Sequence, residues 1–364
     1  MNMQETTFDR EEKKIITPFH PTMNEIERDW AGLLPELVCI IARKVVDIFD
    51  FIRFRAVCKT WRSVTSIADL SPQFPWILRH NDGPSLSFYS IAFDKSFIIH
   101  APKFSNKCAF ESYHGAMLAS SRTDFSWSMI NPLNNSEVSL PLRKFSYEWI
   151  GPRNFHSGDY VVMKGSGNRL HIFKPGDEKW ITMEGKDGNH YFYLNNLLFI
   201  VDDFQVTEVV NLCTRETISV VLPPWHTPNL SYSELRSKLS RYPTLIESSG
   251  EILLVNYAYK CNKFEIHRLV FGNDKENSHW VEVRSIGDRM LFIYFRHRGS
   301  GFSLETTDSC RLNFKGNSIY LIRFHEKLSN SYAIDRYDID SAETECINIQ
   351  KGRITWYLPD LNHI

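Results

Sequence analysis

The sequence predicts a mainly β chain with a small helical module near its N-terminal end. Three observations carry this. Phe, Tyr and Trp make up 13% of 364 residues, and with plentiful Ile and Val they favour strands. From about residue 85 onward, short apolar runs alternate with turn residues and no long helical period appears. Those runs also repeat, which favours a radially built β-propeller over a β-sandwich or several unrelated hairpins.

The chain opens on a polar stretch. Residues 1–29 hold seven acidic and four basic residues and few apolar ones, a composition expected of a disordered tail. It carries neither the apolar run of a secretory signal nor the Arg-rich pattern of a transit peptide. A helical module is expected over 30–69. Leu37, Ile40, Ile41 and Val45 fall at helical spacing, with Pro35 tolerated in the first turn. Asp50 is the expected N-cap of a second short helix containing Ile52, Phe54 and Val57. A third is expected from Thr60 to Ile67. Residues 70–84, with Pro72, Pro75 and Pro84, read as a stiff linker.

The propeller is expected over 85–358. GAMLASSR leads to WSMINPLNNSEVSLP, DYVVMKGSGNR to LHIFKPGDEKWITM, and NNLLFIVDD to TEVVNLCTRETISVVLPP. SGEILLVNYAYK leads to FEIHRLVFGNDKENSHWVEV, and GNSIYLIRF to YAIDRYDIDSAETECI. Each unit reads as three strands joined by polar turns. The units begin near 115, 159, 195, 249 and 316, so the two long intervals require insertions, placed at Trp225–Pro243 and Arg289–Asn313. The stretch SLSFYSIAFDKSFIIH supplies a sixth unit; six blades are preferred and seven remain open. The final strand, near Arg353–Leu358, is expected to close the ring beside the first blade.

Composition narrows function. The formal net charge is −1, so nothing global attracts nucleic acid or an anionic membrane, and neither is expected as a partner. No apolar stretch approaches the ~20 residues of a membrane-spanning helix. The seven cysteines, at 39, 58, 108, 213, 261, 310 and 346, stand singly; with no closely spaced pair, neither zinc nor redox chemistry is indicated, and reduced intracellular thiols are expected. The compartment is expected to be cytoplasmic and/or nuclear. Gly165-Ser166-Gly167 lacks the following helix and GK[ST] of a phosphate loop and reads as a hairpin turn. Asp335, Asp338, Asp340 and Glu343 lack the spacing and central Gly of an EF-hand and read as a solvated turn. No paired carboxylates, nucleophile elbow or zincin helix stands out. No catalytic residue, cofactor or metal is therefore expected. Trp180 and Trp280 hold matching places in two units and read as repeated packing rather than a sugar-binding stack.

The run from Trp30 to Ser63, WAGLLPELVCIIARKVVDIFDFIRFRAVCKTWRS, resembles the F-box. The matching pieces are Trp30, Leu33, Glu36-Leu37-Val38, Ile41-Ala42, Arg53 through Lys59, and Trp61-Arg62-Ser63. The departure is Leu34, where the family usually has Pro; here Pro follows at 35. Further on, IFKPGDEKW, YPTLIESSGEILLV, FEIHRLVFGND, HWVEVRSIGDRMLFI and FKGNSIYLI resemble landmarks of a plant kelch-like propeller domain that follows an F-box in a large plant family. The resemblance implies a substrate receptor of a Skp–cullin–F-box ubiquitin ligase. The F-box would dock a Skp-type adaptor, and through it a cullin–RING ligase, while the propeller binds an unidentified target protein. It implies adaptor contacts at Leu33, Leu34, Pro35, Leu37, Ile41, Val57 and Trp61, and no catalysis by this chain. The alternative is a binding propeller outside any ligase, which sequesters a partner and keeps a structural or vestigial F-box.

Overall fold

A computed structural model describes residues 29–361 apart from short stretches at 80–82, 114, 125, 141–147, 151–160, 165–168, 175, 187, 189, 227–242, 259–262, 273–276, 295–299, 306–312 and 326. The expected N-terminal tail, the Gly165-Ser166-Gly167 turn and most of the expected insertion at 225–243 therefore lie outside the described residues.

Helices come first. Leu34 precedes α1 (Pro35–Ala42), and Pro35 occupies its first turn, where a missing N–H breaks no intrahelical bond. The second helix, α2 (Ile48–Ala56), starts earlier than expected. Asp47, not Asp50, is its cap, and one carboxylate oxygen accepts the backbone N–H groups of Phe49 and Asp50 at 2.7 and 3.1 Å. Asp50 lies in the first turn, where it pairs with Arg53 at 2.7 Å. The third helix, α3 (Lys59–Val64), is shorter than expected, and a separate 3-10 turn covers Ile67–Asp69.

Strands fill the rest, in six sheets. The first holds β1 (Trp76–Arg79), β2 (Ser85–Ser90) and β3 (Lys95–His100). The second holds β4 (Lys107–Tyr113), β5 (Ala116–Ser121), β6 (Trp127–Ile130) and β7 (Glu137–Leu140). The third holds β8 (Glu148–Ile150), β9 (Val161–Lys164), β10 (Arg169–Phe173) and β11 (Ile181–Glu184). The fourth holds β12 (His190–Leu194), β13 (Leu197–Val201), β14 (Thr207–Asn211) and β15 (Glu216–Val221). The fifth holds β16 (Thr244–Ser248), β17 (Glu251–Ala258), β18 (Lys263–Val270) and β19 (His279–Glu282). The sixth holds β20 (Arg289–Tyr294), β21 (Ser300–Glu305), β22 (Ser318–Phe324), β23 (Ser331–Asp338) and β24 (Thr344–Lys351). The last strand, β25 (Ile354–Tyr357), pairs antiparallel with β1 and completes the first sheet.

Period-2 alternation explains why the sheets stack around a ring. In β13, Leu198 and Ile200 join a buried cluster with the third sheet, while Phe199 and Val201 join another with the fifth. A strand buried on both faces must be apolar throughout, and LLFIV is. Six such clusters link each sheet to the next, the sixth back to the first included. Inner-edge strands meet side by side: β25 with β4, β8 with β12, β12 with β16, β16 with β20 and β21, and β20 with β25. This is a β-propeller.

Three expectations need correcting. Six like blades do not occur: five sheets are four-stranded and antiparallel, and the sixth has five strands with a parallel pair, β20 beside β22. Nor is Arg289–Asn313 a loop insertion. It contains β20, whose Met290 to Tyr294 are all buried, and β21. Finally, the linker over 70–84 contains β1, so the propeller begins near Trp76 rather than at 85. Phe74 is already core, stacked on Phe314 at 4.8 Å. The sequence units also omitted the innermost strands, β4, β8, β12 and β16.

Closure by β25 is the long-range tie, and neighbouring side chains point to opposite faces. Trp356 donates its indole N–H to the Ile293 carbonyl at 3.0 Å, in the sixth sheet. Tyr357 donates its hydroxyl to the Gly115 carbonyl at 3.1 Å, beside the second. Trp356→Ala should destabilise the chain by about 3–5 kcal/mol, read by denaturant unfolding, whereas an exposed substitution such as Arg284→Ala should change it by less than about 0.5 kcal/mol.

Glu251 provides a pH signature. Arg268 and Arg289 hold its carboxylate at 2.7 and 2.8 Å. These hydrogen bonds, that to Arg268 first, lower its pKa below the usual 4.5. The stabilisation is therefore complete above pH 4.5 and fades as pH falls through the lower folded value. Between pH 5 and 3, Glu251→Gln should lose less stability than the native chain, measured as the shift in urea midpoint.

Candidate docking surfaces

The helical module divides its apolar residues between an inner and an outer face. Val38, Ala42, Ile48, Phe51 and Trp61 are buried. Trp61 tilts against Phe54 at 4.5 Å and donates its indole N–H to the Trp30 carbonyl at 3.0 Å. Cys39 Sγ contacts the Val64 carbonyl at 3.1 Å, tying α1 to the end of α3. Arg43 pairs with Asp69 at 2.9 Å. Asp69 also accepts the Ser66 backbone N–H, which leads the causes that lower its pKa.

On the outer face, Leu34 is 63% exposed, Val57 60%, Ile40 50%, Leu37 44% and Ile41 40%. Leu34, Leu37 and Ile41 are three or four residues apart, so they form one stripe along α1. Monomeric proteins rarely leave so many large apolar side chains together in water.

Of the seven adaptor contacts implied by resemblance, Leu34, Pro35, Leu37, Ile41 and Val57 are exposed. Leu33 is half-buried. Trp61 is corrected: it is core, held by Phe54 and the Trp30 carbonyl, and offers no exposed anchor. Three exposed apolar residues of the module were not among the seven: Trp30, Ile40 and Ile52. The signal for Ile40 was the Ile40-Ile41 doublet, which widens the apolar arc beyond what one core face uses.

A second apolar edge seats the module on the propeller. Ile48 is wholly buried with Trp76, Leu78, Phe88 and Tyr357. Phe49 stacks on Trp76 at 5.7 Å and meets Phe97 edge-on at 5.2 Å. Ser71 Oγ donates to the Arg43 carbonyl at 2.7 Å, and Gln73 Nε2 to the Val46 carbonyl at 3.0 Å. The module is thus anchored by packing as well as by the chain that leads away from it.

The other marked residues fall into structural roles. Trp280 lies in the cluster between the fourth and fifth sheets, and Trp180 packs on Phe173 at 5.3 Å between the second and third. Asp335 is fully buried against Arg323, so it belongs to no solvated turn, whereas Asp338 accepts the Ser341 backbone N–H at 3.1 Å. Among the described residues, no three His, Cys, Asp or Glu side chains group as metal ligands.

A sequence profile, KIB1-4 beta-propeller, matches residues 88–348. The chain belongs to the KIB1-4 beta-propeller family. Its relatives in Arabidopsis thaliana include proteins named for an F-box. F-box protein At2g17036 is 22% identical over 377 residues, spanning 88% of this chain and 91% of that one. F-box protein SKIP23 is 23% identical over 366 residues, spanning 80% and 83%. F-box/kelch-repeat protein At1g57790 is 22% identical over 325 residues, spanning 84% and 87%. Their names, read with the helical module and the ring, make this a plant-type F-box protein with a propeller domain.

The inner and outer faces predict opposite outcomes. Trp61→Ala should destabilise the helical module by about 3–5 kcal/mol. Leu37→Glu, at an exposed site, should leave the unfolding midpoint within about 0.5 kcal/mol of the native chain. Denaturant titration of both variants checks this.

Proposed function

We propose that the chain is the substrate-recognition subunit of a Skp–cullin–F-box E3 ubiquitin ligase. The observation that carries this reading is the exposed stripe Leu34–Leu37–Ile41, with Val57, on a folded F-box module joined to a propeller. Interfaces take most of their affinity from a few large apolar anchors at the centre of the patch. Leu34 stands where the family has Pro, yet it is the most exposed of this set, so the replacement adds an anchor while Pro35 still opens α1.

The adaptor would sit on that stripe and a target protein on the propeller. The chain itself supplies no reacting group. It raises the local concentration of target lysines beside the ubiquitin-charged partner, so its contribution is proximity. The cytoplasm and the nucleus both suit this role.

The second reading, a sequestering propeller with a structural F-box, is favoured by one observation. Ile48 and Phe49 complete the packing of the first sheet, so the module has a structural use without any adaptor. One experiment separates the two readings. The full-length chain should co-purify with a Skp-type adaptor, and Leu37→Glu with Ile41→Glu should reduce that capture at least tenfold while thermal unfolding stays unchanged. Failure of the native chain to capture any of several plant adaptors favours the sequestering reading.

A further inference from the structure

The first sheet ends at β3, which has a strand on one side only among the described residues. A bare strand edge offers unpaired N–H and C=O groups, and natural proteins blunt such edges with charge, proline or a bulge. Here six consecutive pairs with β2 run without a register shift, and the central residues of β3, Ser96 to Ile99, carry no charge. Ile98 is 70% exposed, more than any other large apolar side chain among the described residues. One bond shows which backbone groups face outward. Just past the Ser85–His100 pair, the Ala101 N–H donates to the Pro84 carbonyl at 2.6 Å. Backbone groups alternate in direction along an antiparallel strand. Phe97, Ile99 and Ala101 therefore point theirs to β2, while Ser96, Ile98 and His100 point theirs away from the sheet.

An occupant lies in the same chain. Residues 1–28 fall outside the described residues, which begin at Asp29. Within 1–28, Ile15-Ile16-Thr17 is the only run of three β-branched residues, the type that favours strands. Trp30 sits at the other end of α2 from β3. Its carbonyl holds Trp61, Trp61 packs on Phe54, and five residues back along α2 Phe49 meets Phe97 of β3. Five residues are about 7.5 Å of helix, whereas the eleven residues 18–28 reach up to about 36–40 Å. A segment on so short a tether meets the edge at an effective concentration on the order of millimolar, ahead of any separate chain.

We infer that residues 14–17 add a fifth strand to the first sheet, antiparallel to β3, with Ile16 opposite Ile98 and Lys14 opposite His100. In that register Ile16 and Lys14 exchange backbone hydrogen bonds with the residues whose groups point outward. Pro18, opposite Ser96, has no N–H to give and ends the ladder. The Ile16 side chain covers Ile98. Phe19 falls opposite Lys95, on the face that carries Phe97. There a cleft of about 180 Å3 between α2 and the sheet is lined by Phe49, Phe93 and Phe97, and a cavity of about 150 Å3 holds one benzene ring. Any partner strand then has to displace residues 14–17 to pair with β3. No residue of the α1 stripe takes part, so the inference is independent of the ligase reading.

Hydrogen exchange on the full-length chain tests this residue by residue. The Ile98 amide should be protected, although β2 does not hold it. Ile16→Pro removes the pairing N–H and should speed exchange at Ile98 about tenfold, the size of one net hydrogen bond. Ile99, which β2 holds, should be unchanged, and Ile26→Pro, outside the pairing, should alter neither. In Ile16→Cys with Ile98→Cys, the Cα atoms stand about 5.5 Å apart, within disulfide range. Mild oxidation should then give a crosslinked monomer, identified by mass spectrometry of the linked peptides. An unprotected Ile98 amide in the native chain, protection that survives Ile16→Pro, or absence of the 16–98 link overturns the inference. Two copies joined through position 98 overturn it as well and make the edge a contact between chains.

Discussion

Everything in this molecule depends on the pairing of β25 with β1. Trp76 lies opposite Tyr357 and Arg79 opposite Ile354, so two distant parts of the chain share one sheet. A ring of sheets has two raw edges until its ends meet, and unpaired edges invite pairing with other chains. Here the joint is reinforced on both faces. Ile354 and Trp356 enter the cluster shared with the sixth sheet, and Tyr357 the one shared with the second. Beyond the strand, Asn131 and Asn134 hold the Asp360 and Leu361 carbonyls at 2.9 and 3.0 Å. Gly115 makes this approach possible: its φ is +78°, and a Cβ there would stand 2.5 Å from the Asp360 side chain. Closing a long loop costs only a little more than closing a short one, so a tie at the far end of the chain is a tolerable way to finish a ring.

Much of this was legible in the sequence because it is local. The apolar runs, the turn residues and the Trp30–Ser63 pattern lie within single units. So does the closing strand, whose ITWY is a short aromatic and β-branched run before Pro359. What was missed is partly non-local. The inner strands β4, β12 and β16 fell outside the sequence units, which begin at the strand that follows each. TLIES is a strand of its own, paired with β17 across the two-residue Ser249-Gly250 turn, a hairpin signal that the sequence does carry. Likewise RMLFI was read as part of an insertion because its period from the preceding unit was too long. Its parallel pairing with β22 cannot be read from either segment alone, since parallel partners need no tight turn between them.

The docking surface was legible for the same reason and failed at a different point. Helical spacing marks Leu37, Ile40, Ile41 and Val45 as one apolar set, but spacing alone does not say which members face a core. The structure divides them by what covers them. Val38 and Ala42 turn toward the rest of the module, while Leu37, Ile40 and Ile41 stay 40–50% exposed. Trp61 shows the converse. As an aromatic landmark it looked like an anchor, yet its indole N–H finds the Trp30 carbonyl, and a buried Trp with a satisfied N–H is at home in a core.

The apolar edge at Ile48 and Phe49 changes what joining the two modules means. A stiff proline-rich linker would hold them at a distance and leave each complete. Instead α2 supplies side chains to the first sheet, and Phe74, within the supposed linker, stacks in the cluster that closes the ring. Cutting the chain near residue 75 would remove Ile48, Phe49 and Phe74 together and leave Trp76 and Phe97 open to water. Each such side chain contributes about 1.5–3 kcal/mol when buried, against a total stability of only about 5–15 kcal/mol for a folded protein. The propeller is therefore expected to need its helical module to stay folded. The same packing fixes orientation: the stripe on α1 is placed relative to the first sheet by side-chain contact rather than by tether length.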